Sequence, residues 1–176
     1  LEILALQPTQ YLLDTAAFTR NGEVLAAQSP ISNFKRALEG LPSQKGQLLS
    51  WSIKGRVDNA GQSFLEIRLS GYVVLTCQRC MQDFDYDIEA VNQVLVVTNE
   101  QDLDVDLDDP DALERILGST QLNALELIED ELILCLPYVP RHAECPHLPE
   151  ALIIQDEEAE DEKPNPFAVL SQLKKS

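Results

Sequence analysis

Apolar and polar residues alternate with period two in three places along the chain. Leu49, Trp51, Ile53 and Val57 form the first run, and Leu65, Ile67, Leu69, Val73 and Leu75 the second. The third runs through Phe84, Tyr86, Ile88, Ala90, Val94 and Val96, interleaved with Asp, Glu, Asn and Gln. Alternation of this kind puts every second side chain on the same buried face of a strand. Asp58-Asn59-Ala60-Gly61 separates the first two runs and is a turn signal, so a β-hairpin is expected there. The segment Cys77-Gln78-Arg79-Cys80 falls between the second and third strands, at a strand-to-strand turn.

Period 3.6 takes over elsewhere. Ser29 as N-cap and Pro30 at the first helical position precede Ile31, Phe34 and Leu38, and Gly40 ends the pattern, so a short helix is expected over 30–40. Residues 8–28 read as irregular, with a turn at Asn21-Gly22. The clearest helix starts at Asn123, where Asn123 and Glu126 suit a capping box. Leu125, Ile128 and Leu132 make its apolar stripe, and Pro137 stops it. Its acidic residues Glu126, Glu129, Asp130 and Glu131 read as a solvated face rather than a catalytic pair, which would need a concave and partly dry setting.

Together these elements predict an α+β domain over 1–150: an antiparallel sheet, with curling toward a barrel as an option, and a packed helix after it. A mobile acidic tail follows. Residues 151–165 read as a flexible linker, and 166–176 as a short amphipathic helix with Pro166 at its start and Phe167, Leu170 and Leu173 on one face. Residues 99–111 carry seven carboxylates and no base, the pattern of a solvated loop; Leu103, Val105 and Leu107 also permit an acidic edge strand. An EF-hand is disfavoured, because neither its glycine nor its terminal glutamate is in place.

The formal net charge of −17 is unevenly distributed. Residues 1–80 hold 8 Lys/Arg against 6 Asp/Glu, whereas 81–176 hold 5 against 24. Any surface that meets phosphate is therefore expected in the first half, and the second half would attract basic partners. No apolar run approaches the roughly 18 residues of a membrane span, and the first residues, LEILALQPTQYLLD, lack the regions of a signal peptide. The first residue is Leu1 rather than Met, so an earlier segment is expected. A cytoplasmic protein fits these features and the four cysteines, which are too few for a disulfide scaffold.

Cys77 and Cys80 have the spacing of a metal knuckle, and His142, Cys145 and His147 lie together some sixty residues later. Three or four N/S ligands from two segments would close a tetrahedral zinc site. Cys135, within LILCLP, reads as a core residue, and His147 between prolines as solvent-exposed. Redox chemistry of the thioredoxin kind needs the first cysteine at a helix N-terminus, and here a strand precedes it. A Cys/His nucleophile pair is available, but without an oxyanion-hole signature.

Three segments, LTCQRCMQDF (75–84), ELIEDELILCLPYVPRHAEC (126–145) and KPNPFAVLSQLK (163–174), together resemble the YceD family, once called a domain of unknown function. The shared pattern falls on Cys77, Arg79, Cys80, Glu129, Asp130, Glu131, Leu136, Pro137, Pro140, His142 and Cys145, then on Lys163, Pro164, Asn165, Pro166 and Phe167. Cys135 stands where the pattern has a plain apolar residue. This leaves Cys77, Cys80, Cys145 and His142 as metal candidates. The resemblance implies a non-enzymatic cytoplasmic factor that supports synthesis, processing or stability of 23S ribosomal RNA. Contact with that RNA or its precursor, direct or through protein, would fall to Arg79, Lys54, Arg56 and Arg68 in the basic half. Lys163 to Phe167 with Leu170 would grip a partner. An acidic chaperone or adaptor for a basic large-subunit ribosomal protein is the alternative, and a cysteine-based redox enzyme a further one.

Overall fold

The computed structural model describes residues 11–103 and 113–145. The chain runs β1 (Leu12–Leu13), α1 (Thr15–Asn21), β2 (Val24–Pro30), β3 (Leu48–Val57), β4 (Ser63–Thr76), β5 (Asp83–Val97), β6 (Glu114–Leu117), β7 (Leu122–Asn123) and α2 (Ala124–Cys135). Strands β2 to β6 form one sheet in sequence order, antiparallel except for the parallel β5–β6 pair. Among the described residues this sheet is open rather than closed into a barrel. β1 and β7 make a separate two-stranded ladder beside α2. No helix among the described residues is long and apolar enough to cross a membrane.

The alternation seen in the sequence becomes the two faces of the sheet. Leu49, Trp51 and Ile53 of β3, Leu65, Ile67, Leu69, Val73 and Leu75 of β4, and Ile88 and Val94 of β5 are buried on one side, where α1 and α2 add Phe18, Ile128 and Leu132. The β3–β4 turn forms where expected. Asp58 accepts bonds from the N–H groups of Ala60 and Gln62 through its side chain, and Gly61 takes the φ of +82° that a side chain would resist. α2 also forms as expected. Asn123 Oδ1 accepts from Leu125 N at 3.1 Å, and its amide reaches Glu126 Oε1 at 2.9 Å, so the acid engages the cap's side chain.

Three expectations need correction. Residues 8–28 are not irregular throughout: Asp14 caps α1, Gly22 ends it in the left-handed region, and β2 follows. Residues 30–40 do not make an α-helix. A 3-10 turn covers Ile31–Asn33, and a chain of turns follows in which Ile31, Phe34 and Ala37 are still buried. There the peptide N–H of Arg36 donates to the Glu129 carboxylate at 2.7 Å instead of to a helical carbonyl. Third, the acidic face of α2 is not simply solvated. Glu129 and Asp130 hold the Arg36 guanidinium at 2.9 and 2.8 Å, and Glu131, 8% exposed, accepts from Asn92 of β5. The acidic-loop expectation lies partly, and the linker, the tail helix and His147 wholly, outside the described residues.

α1 sits so close to β3 that Gly55 has no room for a side chain. A Cβ there would lie 2.5 Å from the Phe18 carbonyl oxygen and 2.8 Å from its carbon, both backbone atoms that cannot swing away. Gly55→Ala should therefore push α1 off the sheet and cost about 1–3 kcal/mol, the usual range for an overpacked core. Urea unfolding followed by circular dichroism measures it, and an unchanged midpoint would contradict this packing.

Candidate metal centre

The turn between β4 and β5 is six residues long and closed by its own backbone. Cys77 N donates to Gln82 O at 2.9 Å, and Met81 N to Cys77 O at 2.8 Å. Closing so short a loop forces Met81 to φ 60°, the left-handed region that a side-chain-bearing residue resists. The turn also aims peptide N–H groups at the Cys77 sulfur.

A second segment arrives from α2. The helix stops at Cys135 with Leu136 extended, and Pro137 and Pro140 keep the chain from resuming it. This strap, residues 136–145, returns to the turn, where Gln78 N donates to Pro140 O at 2.9 Å and His142 N to Cys77 Sγ at 3.5 Å. The His142 ring lies against Phe84, with centroids 4.6 Å apart.

The two segments place Cys77, Cys80, His142 and Cys145 so that their ligand atoms all lie within 4.8 Å of one another. Cys77 Sγ is 3.7 Å from Cys145 Sγ; His142 Nδ1 is 3.4 Å from Cys80 Sγ and 3.9 Å from Cys145 Sγ. A tetrahedral ion with bonds of ~2.3 Å to sulfur and ~2.0 Å to nitrogen has sulfur–sulfur edges of about 3.8 Å and sulfur–nitrogen edges of about 3.5 Å. These three edges match that geometry, so the four donors form a group that could hold one metal ion. They are the four residues singled out in the sequence, and Cys135 is elsewhere, packed partly buried against the core.

Residues 65–174 match the family model described as "Large ribosomal RNA subunit accumulation protein YceD", which is more than half of the chain. The chain belongs to this family. A Haemophilus influenzae protein of the same description is 35% identical over an alignment of 108 positions that covers 58% of this chain and 60% of the relative. The chain thus spans less than two thirds of that relative's length. No solved structure matches. All four donor residues lie inside the region that makes this a YceD protein, whereas α1, β2 and β3 precede it.

The electrostatics of this YceD centre separate its cysteines. Burial raises the Cys77 thiol, but N–H groups of Cys80, His142 and Arg79 pointing at its sulfur outweigh this and leave a pKa of about 5. The Cys80 thiol is raised, by burial first and then by its cysteine neighbours. Cys135 is raised by burial and by the Glu131 carboxylate. Arg79, named from the sequence among the RNA contacts, folds onto the cluster: Nε donates to Cys145 Sγ at 2.9 Å and Nη2 to the His142 carbonyl at 3.2 Å.

Lys54, Arg56 and Arg68 do share one face, the outer side of β3 and β4. There Arg68 pairs with Glu66 at 2.9 Å, and Arg56 lies over Phe64 and donates to Gln93. The motif Lys163 to Leu170 lies outside the described residues. Two features escaped the sequence reading. Asp83, Asp85, Asp87 and Glu89 alternate along the outer face of β5 opposite Thr76, Val74, Tyr72 and Ser70, none of them basic. An open groove of about 550 Å³ also runs beside the centre, between Phe84–Asp87 and Arg141–Glu144. Period-two carboxylates were visible in the sequence as the polar half of the strand pattern.

Two measurements follow from the turn. Cys77 ionises in the folded protein at about 5 rather than the ordinary 9.0, so its thiolate favours the fold above pH 9, and that contribution is lost as pH falls through 5. Metal-free protein at neutral pH should show ultraviolet thiolate absorbance that disappears on acidification through about 5 and is missing in Cys77→Ser; its absence at pH 7 in the unaltered protein would contradict the N–H geometry. Met81→Gly should stabilise the protein by about 1 kcal/mol by removing left-handed strain, and a lowered unfolding midpoint would mean the Met81 side chain has a role of its own.

Proposed function

We propose that this YceD protein is a non-enzymatic, cytoplasmic ribosome-biogenesis factor that supports accumulation of 23S ribosomal RNA, and that its centre holds one structural zinc ion. The observation that carries the reading is family membership over a region containing all four donors. Zinc suits them: three sulfurs and one imidazole nitrogen are its usual structural set, and four protein donors leave no open position for substrate water. The ion would supply closure, fixing the strap to the β4–β5 turn. Redox catalysis is not adopted, because Cys77 is fully buried and follows a strand rather than opening a helix.

Contact with RNA through Lys54, Arg56 and Arg68 is weakened by the Glu66 and Gln93 partners of the two arginines, so a role mediated by protein is favoured. The four carboxylates of β5, of which Asp83 accepts from the Thr76 hydroxyl and none faces a base on β4, favour one specific form of it: an adaptor for a basic large-subunit ribosomal protein. The Lys163–Leu170 motif would add a second grip on that partner.

Protein purified without added zinc should carry about one equivalent. Cys77→Ser, Cys80→Ser and Cys145→Ser should lose it, and Cys135→Ser should keep it; metal below about a tenth of an equivalent in the unaltered protein would remove zinc from the account. In cells depleted of the protein, 23S ribosomal RNA should fall relative to 16S and be restored by the unaltered gene but not by the Cys77→Ser, Cys80→Ser double variant. An unchanged ratio on depletion would overturn the biogenesis reading.

A further inference from the structure

We propose that Arg79 is a positioning residue of the metal centre, held between the two ligand-bearing segments to balance the charge of the ion's thiolates and lock the strap in register. The inference rests on the metal reading above. A divalent ion bound by three thiolates and a neutral imidazole carries one net negative charge. Cys77 is fully buried, and Cys80, His142 and Cys145 are half-buried, so an unbalanced charge there is poorly solvated. Arg79 supplies the one positive charge that makes the assembly neutral. It comes from the turn that carries Cys77 and Cys80, and it reaches the segment that carries the other two donors.

Its geometry suits an arginine in particular. Nε faces the Cys145 sulfur at 2.9 Å while Nη2 of the same planar fork faces the His142 carbonyl at 3.2 Å. One rigid group thus reads the charge of one ligand and the backbone position of another. A lysine ammonium, a point charge on a flexible stem, could serve the sulfur but not both at once. This use of the guanidinium also accounts for the arginine's place inside the Cys-x-x-Cys turn without any phosphate, since two of its donors are committed to the strap. Partners of this kind, bonded to a ligand rather than to the ion, commonly alter metal affinity tenfold or more.

The test compares the full chain with Arg79→Gln, Arg79→Lys and, as a surface control, Arg68→Gln. Zinc affinity is read by competition with a chromophoric chelator, and the sulfur-to-metal charge-transfer band by replacing zinc with cobalt. Arg79→Gln should weaken zinc binding by about ten- to a hundredfold and shift the cobalt band. Arg79→Lys should recover part of both, and Arg68→Gln should change neither. Unaltered affinity and an unaltered band in Arg79→Gln overturn the inference. So does a variant that unfolds more readily yet keeps the band, since that is what a merely structural arginine would give. If the unaltered protein takes up neither zinc nor cobalt, the metal reading fails and this inference with it, a result read on that protein alone.

Discussion

Three sulfurs and an imidazole nitrogen within 4.8 Å of one another form an arrangement that could hold a shared cation. Thiolates at such distances repel, and the ordinary response of a protein is to protonate them. Here the surroundings work in the opposite direction at Cys77, whose sulfur receives peptide N–H groups and ionises at about 5. Three of the six edges, at 3.7, 3.4 and 3.9 Å, already measure close to those of a tetrahedral site. The rest of the chain around β4, β5 and α2 can be understood as what is needed to bring these four side chains together.

Two anchors meet that need. The sheet fixes the turn: β4 and β5 pair along fourteen residues, from Ser63↔Val96 to Thr76↔Asp83, leaving Cys77 to Gln82 no freedom to drift. The strap depends on α2, which is seated by Ile128 and Leu132 in the core and by Glu129 and Asp130 on Arg36. Glu131 and Asn92 join the same helix to β5. With both ends fixed, closing the strap onto the turn adds little further loss of chain entropy. A metal ion in this place would bind two prearranged halves and would not need to fold them.

The parts of this plan that were legible in the sequence are those that local chemistry decides. Asp58 to Gly61 signalled a tight turn between alternating strands, Asn123 a helix start before Pro137, and the Cys77–Cys80 spacing half of a metal site, its other half narrowed to His142 and Cys145 by the family resemblance. What was misread depended on tertiary contacts. Ile31, Phe34 and Leu38 have helical spacing, but the Arg36 N–H is taken by a carboxylate 93 residues away. α1 has one large apolar residue, Phe18, too few to show a period. Arg79 was placed among the RNA contacts because nothing local reveals that the strap returns to it.

On the function proposed above, a closed and charge-balanced centre in a family described by ribosomal RNA accumulation would make this domain a scaffold whose metal organises a surface rather than transforms a substrate. That account stands on the donor set itself, which zinc-edge X-ray absorption of the purified protein reads most directly. It predicts one zinc with three sulfur neighbours at about 2.3 Å and one nitrogen at about 2.0 Å. A first shell rich in oxygen, or one with fewer than three sulfurs, would contradict it.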